Sequence, residues 1–124
     1  MESIGLVIVS HSKHIAEGVV ELISKVAKDV PITYVGGTEG EGIGTSFDQV
    51  DRVVSENPAD TLLAFFDLGS AKMNLKMVTD FSDKSIIINR VPIVEGAYNA
   101  AALLQAGAEL SVIQTQLAEL EINK

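Results

Sequence analysis

Residues 4–9 read Ile-Gly-Leu-Val-Ile-Val, a short apolar run that is rich in β-branched side chains. Such a run is typical of a strand that is buried on both faces of a parallel sheet. The polar residues 10–14 follow it, and from Ile15 onward apolar side chains recur at helical spacing, including Val19 and Ile23. This change of period predicts a buried strand that leads at once into an amphipathic helix.

The same alternation of short apolar runs and amphipathic stretches continues along the chain. The apolar runs predict strands at residues 4–9, 32–35, 61–66 and 85–88. The amphipathic stretches predict helices at residues 15–26, 47–56, 71–81, 94–106 and 110–122. Thr45 or Ser46 is expected to cap the second helix and Ser70 the third. The third helix is expected to bury Leu75, Val78 and Phe81.

Strands that alternate with crossover helices imply a parallel sheet with right-handed connections. We therefore expect an α/β fold, a three-layer doubly wound domain with helices on both faces of the sheet. The sheet should be mainly parallel and four-stranded, in the common order 2-1-3-4. Residues 1–124 are expected to form this single domain.

The composition excludes several classes of function. Of the 124 residues, 47% are hydrophobic, which is incompatible with a disordered chain. A formal charge of −8 disfavours binding to nucleic acid and to anionic membranes. The absence of cysteine excludes thiolate nucleophiles and Cys-based metal sites. The apolar run at Leu6–Val9 is too short to span a bilayer, so we expect a cytoplasmic protein.

Two polar residues are expected to meet at one edge of the predicted sheet. His11 follows the first strand and Asp67 follows the third, and the order 2-1-3-4 makes these strands neighbours. A carboxylate bonded to one imidazole nitrogen orients the ring and leaves the other nitrogen as a nucleophile. Gly69 and Ser70 open the next helix, whose N-terminus suits a phosphoryl group. The pattern favours a histidine that accepts phosphate; the alternative is a loop histidine beside an aspartate that caps a helix.

Other candidate sites are weaker. His14 lies three residues beyond His11, but this spacing alone is a poor zinc signature, and no metal is expected. The glycine-rich loop, residues 36–44, lacks the lysine of a P-loop. It is interpreted as a mobile surface loop near the crevice that ligands occupy at the edge of the sheet, where His11 and Asp67 are expected to meet. Arg90 is a lone cation after the fourth strand that could assist a phosphate or could lie on the surface.

Four segments in this order resemble a known family: GLVIVSHS (5–12), VGGTEGEGIGTS (35–46), FFDLGSAKMN (65–74) and VPIVEGAYNAA (91–101). They are similar to the mannose-type IIA domains of the bacterial phosphotransferase system (PTS). The segments FDLGSAKMN and VEGA resemble the DhaM branch, the phosphotransferase subunits of dihydroxyacetone kinase, more than the sugar-transport IIA domains. The resemblance covers nearly the whole chain.

The resemblance implies a phosphotransferase that works through a phosphohistidine. His11 falls on the phosphorylated histidine and Asp67 on the aspartate that orients it, with Ser12, Gly69 and Ser70 as candidate phosphoryl-binding residues. The phosphoryl donor would be HPr, and the acceptor would be ADP held on a separate subunit, DhaL, while DhaK holds dihydroxyacetone. No cofactor is implied for this chain.

The resemblance also implies a homodimer. Sugar-transport members exchange a fifth strand between subunits, but here residues 88–94 are short and contain Pro92, so a full exchanged strand is not expected. Because the sequence ends at Lys124, we expect any appended carrier domains of longer relatives to be supplied by other proteins.

Several rival interpretations share parts of this pattern. A sugar-transport IIA domain, which passes phosphate to a IIB domain, is the nearest alternative. A non-catalytic interaction domain is a more distant one. A response-regulator receiver would need an acidic pair after the first strand, where Ser10 and His11 stand. A flavodoxin-like carrier would need a hydroxyl-rich phosphate loop there.

Overall fold

The computed structural model describes residues 3–40 and 42–124 and leaves Glu41 of the glycine-rich loop outside the description. The strands are β1 (Ile4–Ser10), β2 (Ile32–Gly36), β3 (Thr61–Phe66) and β4 (Ser85–Asn89). The helices are α1 (Lys13–Ser24), α2 (Phe47–Glu56), α3 (Gly69–Phe81), α4 (Ile93–Gln105) and α5 (Leu110–Ala118). In this part of the chain, no helix is long and apolar enough to cross a membrane.

The four strands form one parallel sheet in the order β2-β1-β3-β4, which confirms the predicted order. The register places Val9 of β1 beside Phe66 of β3, and Ser10 beside Gly36 of β2. The carboxyl ends of β1 and β3 therefore meet at one edge, which is where doubly wound sheets bind their ligands. We call the surface formed there by the residues after β1 and β3 the crevice.

The core has two layers, one on each face of the sheet. On one face, Leu6 and Ile8 pack with apolar residues of α1, α4 and α5. On the other face, Val7 and Val9 pack with apolar residues of α2 and α3. Residues of β1 therefore alternate between two buried faces, which is why the strand reads as a continuous apolar run. The predicted three-layer architecture is confirmed.

The helix starts explain part of the local sequence. Ser12 and Ser46 are the N-caps of α1 and α2, and their hydroxyls accept from the amides of Ile15 and Gln49. The prediction that Ser70 caps α3 is wrong, because α3 begins at Gly69 with Leu68 in the cap position. The Ser70 hydroxyl contacts a histidine ring instead of closing the helix end.

The third helix also differs in what it buries. Leu75 and Val78 are fully buried as expected, but Phe81 is 79% exposed. Its ring lies 6.0 Å from that of Phe47 in an edge-to-face arrangement. Phe81 is the last residue of α3, and its ring contacts Phe47 at the start of α2 rather than entering the core.

The end of the chain leaves the helix earlier than its pattern predicts. The apolar spacing predicted a helix to residue 122, but α5 ends at Ala118. The Ile122 amide donates to the carbonyl oxygen of Arg90 at 2.8 Å, which ties residues 119–124 to the end of β4. Arg90 is also not a lone cation, because its guanidinium lies 3.0 Å from the Glu121 carboxylate.

Candidate functional site

His11 and Asp67 meet at the edge of the sheet, as the strand order predicted. His11 directly follows β1, and Asp67 directly follows β3. Nδ1 of His11 lies 2.8 Å from Oδ1 of Asp67, and the two side chains are 14% and 13% exposed. The adjacent strands, paired as Val9 with Phe66, fix both backbones and so fix this contact.

The Asp67 carboxylate accepts from donors on both oxygens. Oδ2 accepts from the Ser10 hydroxyl at 2.6 Å and from the His11 amide at 3.0 Å. Oδ1 accepts from the Leu68 amide at 2.7 Å and faces the His11 ring. Burial by itself raises the pKa of Asp67, but the hydrogen bonds from Ser10, His11 and Leu68 outweigh it and lower that pKa below its ordinary value. The group is therefore a carboxylate at neutral pH.

An ionised carboxylate can only accept hydrogen bonds. The proton between Oδ1 of Asp67 and Nδ1 of His11 therefore belongs to Nδ1. The lone pair of the neutral imidazole then lies on Nε2, which points away from Asp67. The Ser70 hydroxyl is within hydrogen-bond contact of Nε2 and donates to that lone pair. His11 is thus held as the tautomer in which Nε2 is the nucleophilic atom.

The remaining candidate residues surround this ring. Ser70 lies in the first turn of α3, so Nε2 faces the N-terminus of a helix, where backbone amides and partial positive charge favour an anion. A Cβ added to Gly69 would meet no described atom within 4 Å, so packing within the chain does not require glycine there. The Ser12 hydroxyl is engaged as the α1 cap, and the Ser12 amide donates to the Ser10 hydroxyl at 3.0 Å.

The glycine-rich loop is joined to the same edge of the sheet. The Gly37 amide donates to the carbonyl oxygen of Ser10 at 3.2 Å, and the Gly44 amide donates to that of His11 at 2.9 Å. The amide nitrogen of Asn74 on α3 donates to the Thr45 hydroxyl at 2.7 Å. The loop therefore supports the backbone of Ser10 and His11 from the side of β2, and Asn74 links the same loop to α3.

His14 is separate from this arrangement. Its side chain is 94% exposed, and Nδ1 lies 4.0 Å from the Glu17 carboxylate on the same helix. Within residues 3–40 and 42–124, no group of three or more His, Asp or Glu side chains could hold a metal ion. The structure thus brings His11, Asp67, Ser70 and Gly69 together and leaves His14 outside.

Comparison with known families agrees with this geometry. The family model for the EIIA-man group, described as the PTS system fructose IIA component, matches residues 5–114. The chain belongs to the EIIA-man family. The match includes both strands that position His11 and Asp67, and it confirms the family resemblance seen in the sequence.

Curated relatives place the chain in the DhaM branch of the EIIA-man family. It is 53% identical over 120 residues to the PTS-dependent dihydroxyacetone kinase phosphotransferase subunit DhaM of Lactococcus lactis, covering 97% of this chain and 98% of that one. It is 49% identical over 118 residues to the phosphoryl donor subunit DhaM of PEP-dependent dihydroxyacetone kinase 1 of Listeria innocua, with 95% of each chain covered.

A solved structure also matches this EIIA-man fold. The crystal structure of a protein of unknown function superposes with a TM-score of 0.83 and 28% sequence identity. The superposition covers 98% of this chain and 95% of the other. The overall fold is therefore shared with an experimentally determined chain.

Ser10 is the site residue that sequence reasoning missed. It is fully buried, donates to Asp67 and accepts from the Ser12 amide. The sequence carried a signal, because Ser10 is the one hydroxyl residue that ends an otherwise apolar strand. A buried hydroxyl needs a partner, and here the partner is the carboxylate that orients the histidine.

We expect Ser10→Ala to raise the pKa of Asp67 and to lower the free energy of unfolding at neutral pH. The hydrogen bonds to the Asp67 carboxylate hold its pKa below the ordinary aspartate value of 3.8. The carboxylate therefore stabilises the folded state above about pH 4, and this contribution is lost as the pH falls through the folded-state value. Removing one donor should lower the free energy of unfolding by about 1.5–3 kcal/mol at neutral pH. Because the folded-state pKa of Asp67 rises, the carboxylate's contribution to stability should be fully lost at a higher pH than in the wild type.

The measurement is the carboxyl carbon resonance of Asp67 followed through an acid titration, together with urea unfolding. Ser24→Ala, which removes an exposed hydroxyl at the end of α1, is the matched control. An unchanged Asp67 titration in Ser10→Ala would show that the Ser10 hydroxyl does not support the charged carboxylate.

Proposed function

We propose that this chain is the phosphoryl-carrier subunit of a PTS-dependent dihydroxyacetone kinase. His11 accepts a phosphoryl group from phosphorylated HPr and passes it to ADP bound on the DhaL subunit, while DhaK holds dihydroxyacetone. The observation that carries the proposal is the His11–Asp67 contact of 2.8 Å, which leaves Nε2 as the nucleophile. The DhaM relatives at 53% and 49% identity support the assignment to this kinase.

In the first step, the Nε2 lone pair of His11 attacks the phosphorus atom of the donor phosphohistidine. A new N–P bond forms as the donor N–P bond breaks, and its electron pair stays on the donor imidazole. The proton on Nδ1 remains hydrogen-bonded to Asp67, which stabilises the positive charge that develops on the His11 ring. The work asked of the protein is mainly orientation and charge stabilisation.

Ser70 has to move for this step. Its hydroxyl contacts Nε2, so an arriving phosphoryl group takes the place of that contact. Rotation of the Ser70 side chain would let the hydroxyl donate to a phosphoryl oxygen instead. The first amides of α3, at Gly69 and Ser70, are the other donors near the group, and the helix dipole favours its negative charge. Ser12, the other candidate for phosphoryl binding, is the N-cap of α1, and its hydroxyl accepts from the Ile15 amide.

In the second step, a β-phosphate oxygen of ADP attacks the phosphorus atom on Nε2. The N–P bond breaks, its electron pair returns to Nε2, and ATP forms on DhaL. The metal ion of the nucleotide belongs to DhaL in this scheme, so His11 needs only exposure and orientation. A carrier that exchanges with HPr would work in the cytoplasm, as a homodimer in keeping with its family.

Both partners must reach the same nitrogen, so their docking surfaces overlap at the crevice rim. Exposed apolar side chains lie on this rim, among them Leu68 at 61% and Ile43 at 78% exposure. Met73, on the outer face of α3, is 66% exposed. With a chain charge of −8, partners that present basic and apolar faces would dock here most readily.

The acceptor decides between this function and its nearest rival. The protein is first labelled from radioactive phosphoenolpyruvate through enzyme I and HPr, and then mixed with DhaL·ADP or with a mannose-type IIB domain. Loss of label to ADP, with ATP formed, is the expected result. Loss of label to the IIB domain alone would instead support a sugar-transport IIA domain. A protein that takes up no label would contradict both.

A further inference from the structure

Lys124 lies beside the end of β3, a position that no pattern in the sequence predicts. Its Nζ donates to the carbonyl oxygen of Phe66 at 2.6 Å and to that of Asp67 at 3.4 Å. The same nitrogen lies 4.4 Å from the centre of the Phe66 ring. The ammonium group therefore contacts the backbone that carries the Asp67 carboxylate. Lys124 also lies beyond residues 5–114, the part that the family model matches.

The sheet leaves a position that this ammonium group fills. β4 ends at Asn89, which pairs with Phe65, one residue before the end of β3. The Phe66 carbonyl thus lies just past the point where β4 runs alongside β3. A strand end without its neighbour is free to fray, and a charged donor restores a strong hydrogen bond at that point. Lys124 supplies this donor where β4 stops.

The segment that carries Lys124 is itself tied down at three points. The Ile122 amide donates to the Arg90 carbonyl at 2.8 Å, and the Glu121 carboxylate pairs with the Arg90 guanidinium at 3.0 Å. Nζ of Lys72, in the first turn of α3, donates to the carbonyl oxygen of Lys124 at 2.9 Å. Residues 119–124 therefore bridge β4, the end of β3 and the start of α3.

We infer that Lys124 is a positioning residue for phosphoryl transfer at His11: its ammonium group holds the end of β3 and thereby fixes the Asp67 carboxylate against the imidazole. This inference rests on the proposed function. Lys124 also places a positive charge beside a site that gains negative charge when His11 is phosphorylated. Burial lowers the pKa of Lys124 and the charge of Asp67 opposes that effect, which agrees with an ammonium group within electrostatic reach of Asp67.

The test compares Lys124→Met and Lys124→Arg with the wild-type chain in phosphoryl uptake from phosphorylated HPr. We expect Lys124→Met to lower the rate at saturating phosphorylated HPr about tenfold, with KM unchanged, because one charge-assisted hydrogen bond is lost. Lys124→Arg should recover most of that rate, since it restores a cationic donor. Lys28→Met is the matched control, because it removes the same charge from an exposed residue after α1.

The outcomes distinguish a failure of the proposed function from a failure of the inference about Lys124. A wild-type chain that takes no label from phosphorylated HPr contradicts the proposed function itself. If the wild type is labelled and Lys124→Met is labelled equally fast, only the inference about Lys124 fails. It also fails if the effect lies in KM alone, which indicates a docking residue, or if Lys28→Met slows uptake to the same extent, which indicates net charge.

Discussion

Replacing His11 with alanine should lower phosphoryl uptake from phosphorylated HPr by roughly 10⁴-fold or more, since the nucleophile itself is removed. The fold should survive, because the side chain lies at the end of β1 rather than in either layer of the core. The measurement is incorporation of labelled phosphate into the purified chain, with thermal unfolding as the check on folding.

His14→Ala is the matched control for this substitution. It removes the other histidine of the chain, three residues away on the first turn of α1, where the side chain is 94% exposed. Uptake in His14→Ala should equal that of the wild type. If His11→Ala still takes up phosphate while His14→Ala does not, the wrong histidine has been assigned and the crevice is not the phosphorylation site.

Replacing Asp67 with asparagine should slow phosphoryl uptake by about 10²–10⁴-fold with little change in shape. The asparagine side chain replaces one of the two acceptor oxygens with a donor nitrogen, whereas both oxygens of the Asp67 carboxylate accept from donors. In one orientation, the side-chain nitrogen of the new asparagine takes the place of Oδ1. It then lies against the Leu68 amide, which is also a donor, and Nδ1 of His11 has to accept from it. The proton of the ring then moves to Nε2, which no longer has a lone pair for the phosphorus atom.

The other orientation of the asparagine side chain is also unfavourable. Its amide nitrogen would then face the His11 amide and the Ser10 hydroxyl, in place of the oxygen that both now donate to. Uptake rates should be compared with those of Asp80→Asn, an exposed position on α3. Wild-type uptake in Asp67→Asn would show that the carboxylate does not select the tautomer of His11.

The sequence predicted the strand order and the meeting of His11 with Asp67 because both follow from long apolar runs and from the topology of parallel sheets. Runs such as residues 4–9 and 61–66 are buried on both faces of the sheet. Their apolar pattern can be recognised without knowing which side chains pack against them. Since neighbouring parallel strands end at one edge, the residues after β1 and β3 had to lie close together.

What the sequence could not predict depends on contacts between distant segments. Ser70 was expected to cap α3, but a hydroxyl is equally able to contact a ring, and only the approach of His11 decides between them. Residues 119–122 continue an apolar helical pattern, yet they lie outside α5. The Ile122 amide and the Glu121 carboxylate instead contact the carbonyl and the guanidinium of Arg90, next to β4. The support that Ser10 and Lys124 give to Asp67 likewise arises from the tertiary structure.

In the proposed function, Nε2 of His11 carries the phosphoryl group while Nδ1 is held by Asp67. The most direct measurement is nitrogen-15 NMR of the histidine-labelled protein before and after phosphorylation by phosphorylated HPr, with the coupling to phosphorus-31 assigning the bonded nitrogen. We predict a single phosphorylated imidazole, that of His11, bonded through Nε2. Phosphorus bonded to Nδ1 of His11, to either nitrogen of His14, or to neither histidine would contradict the account.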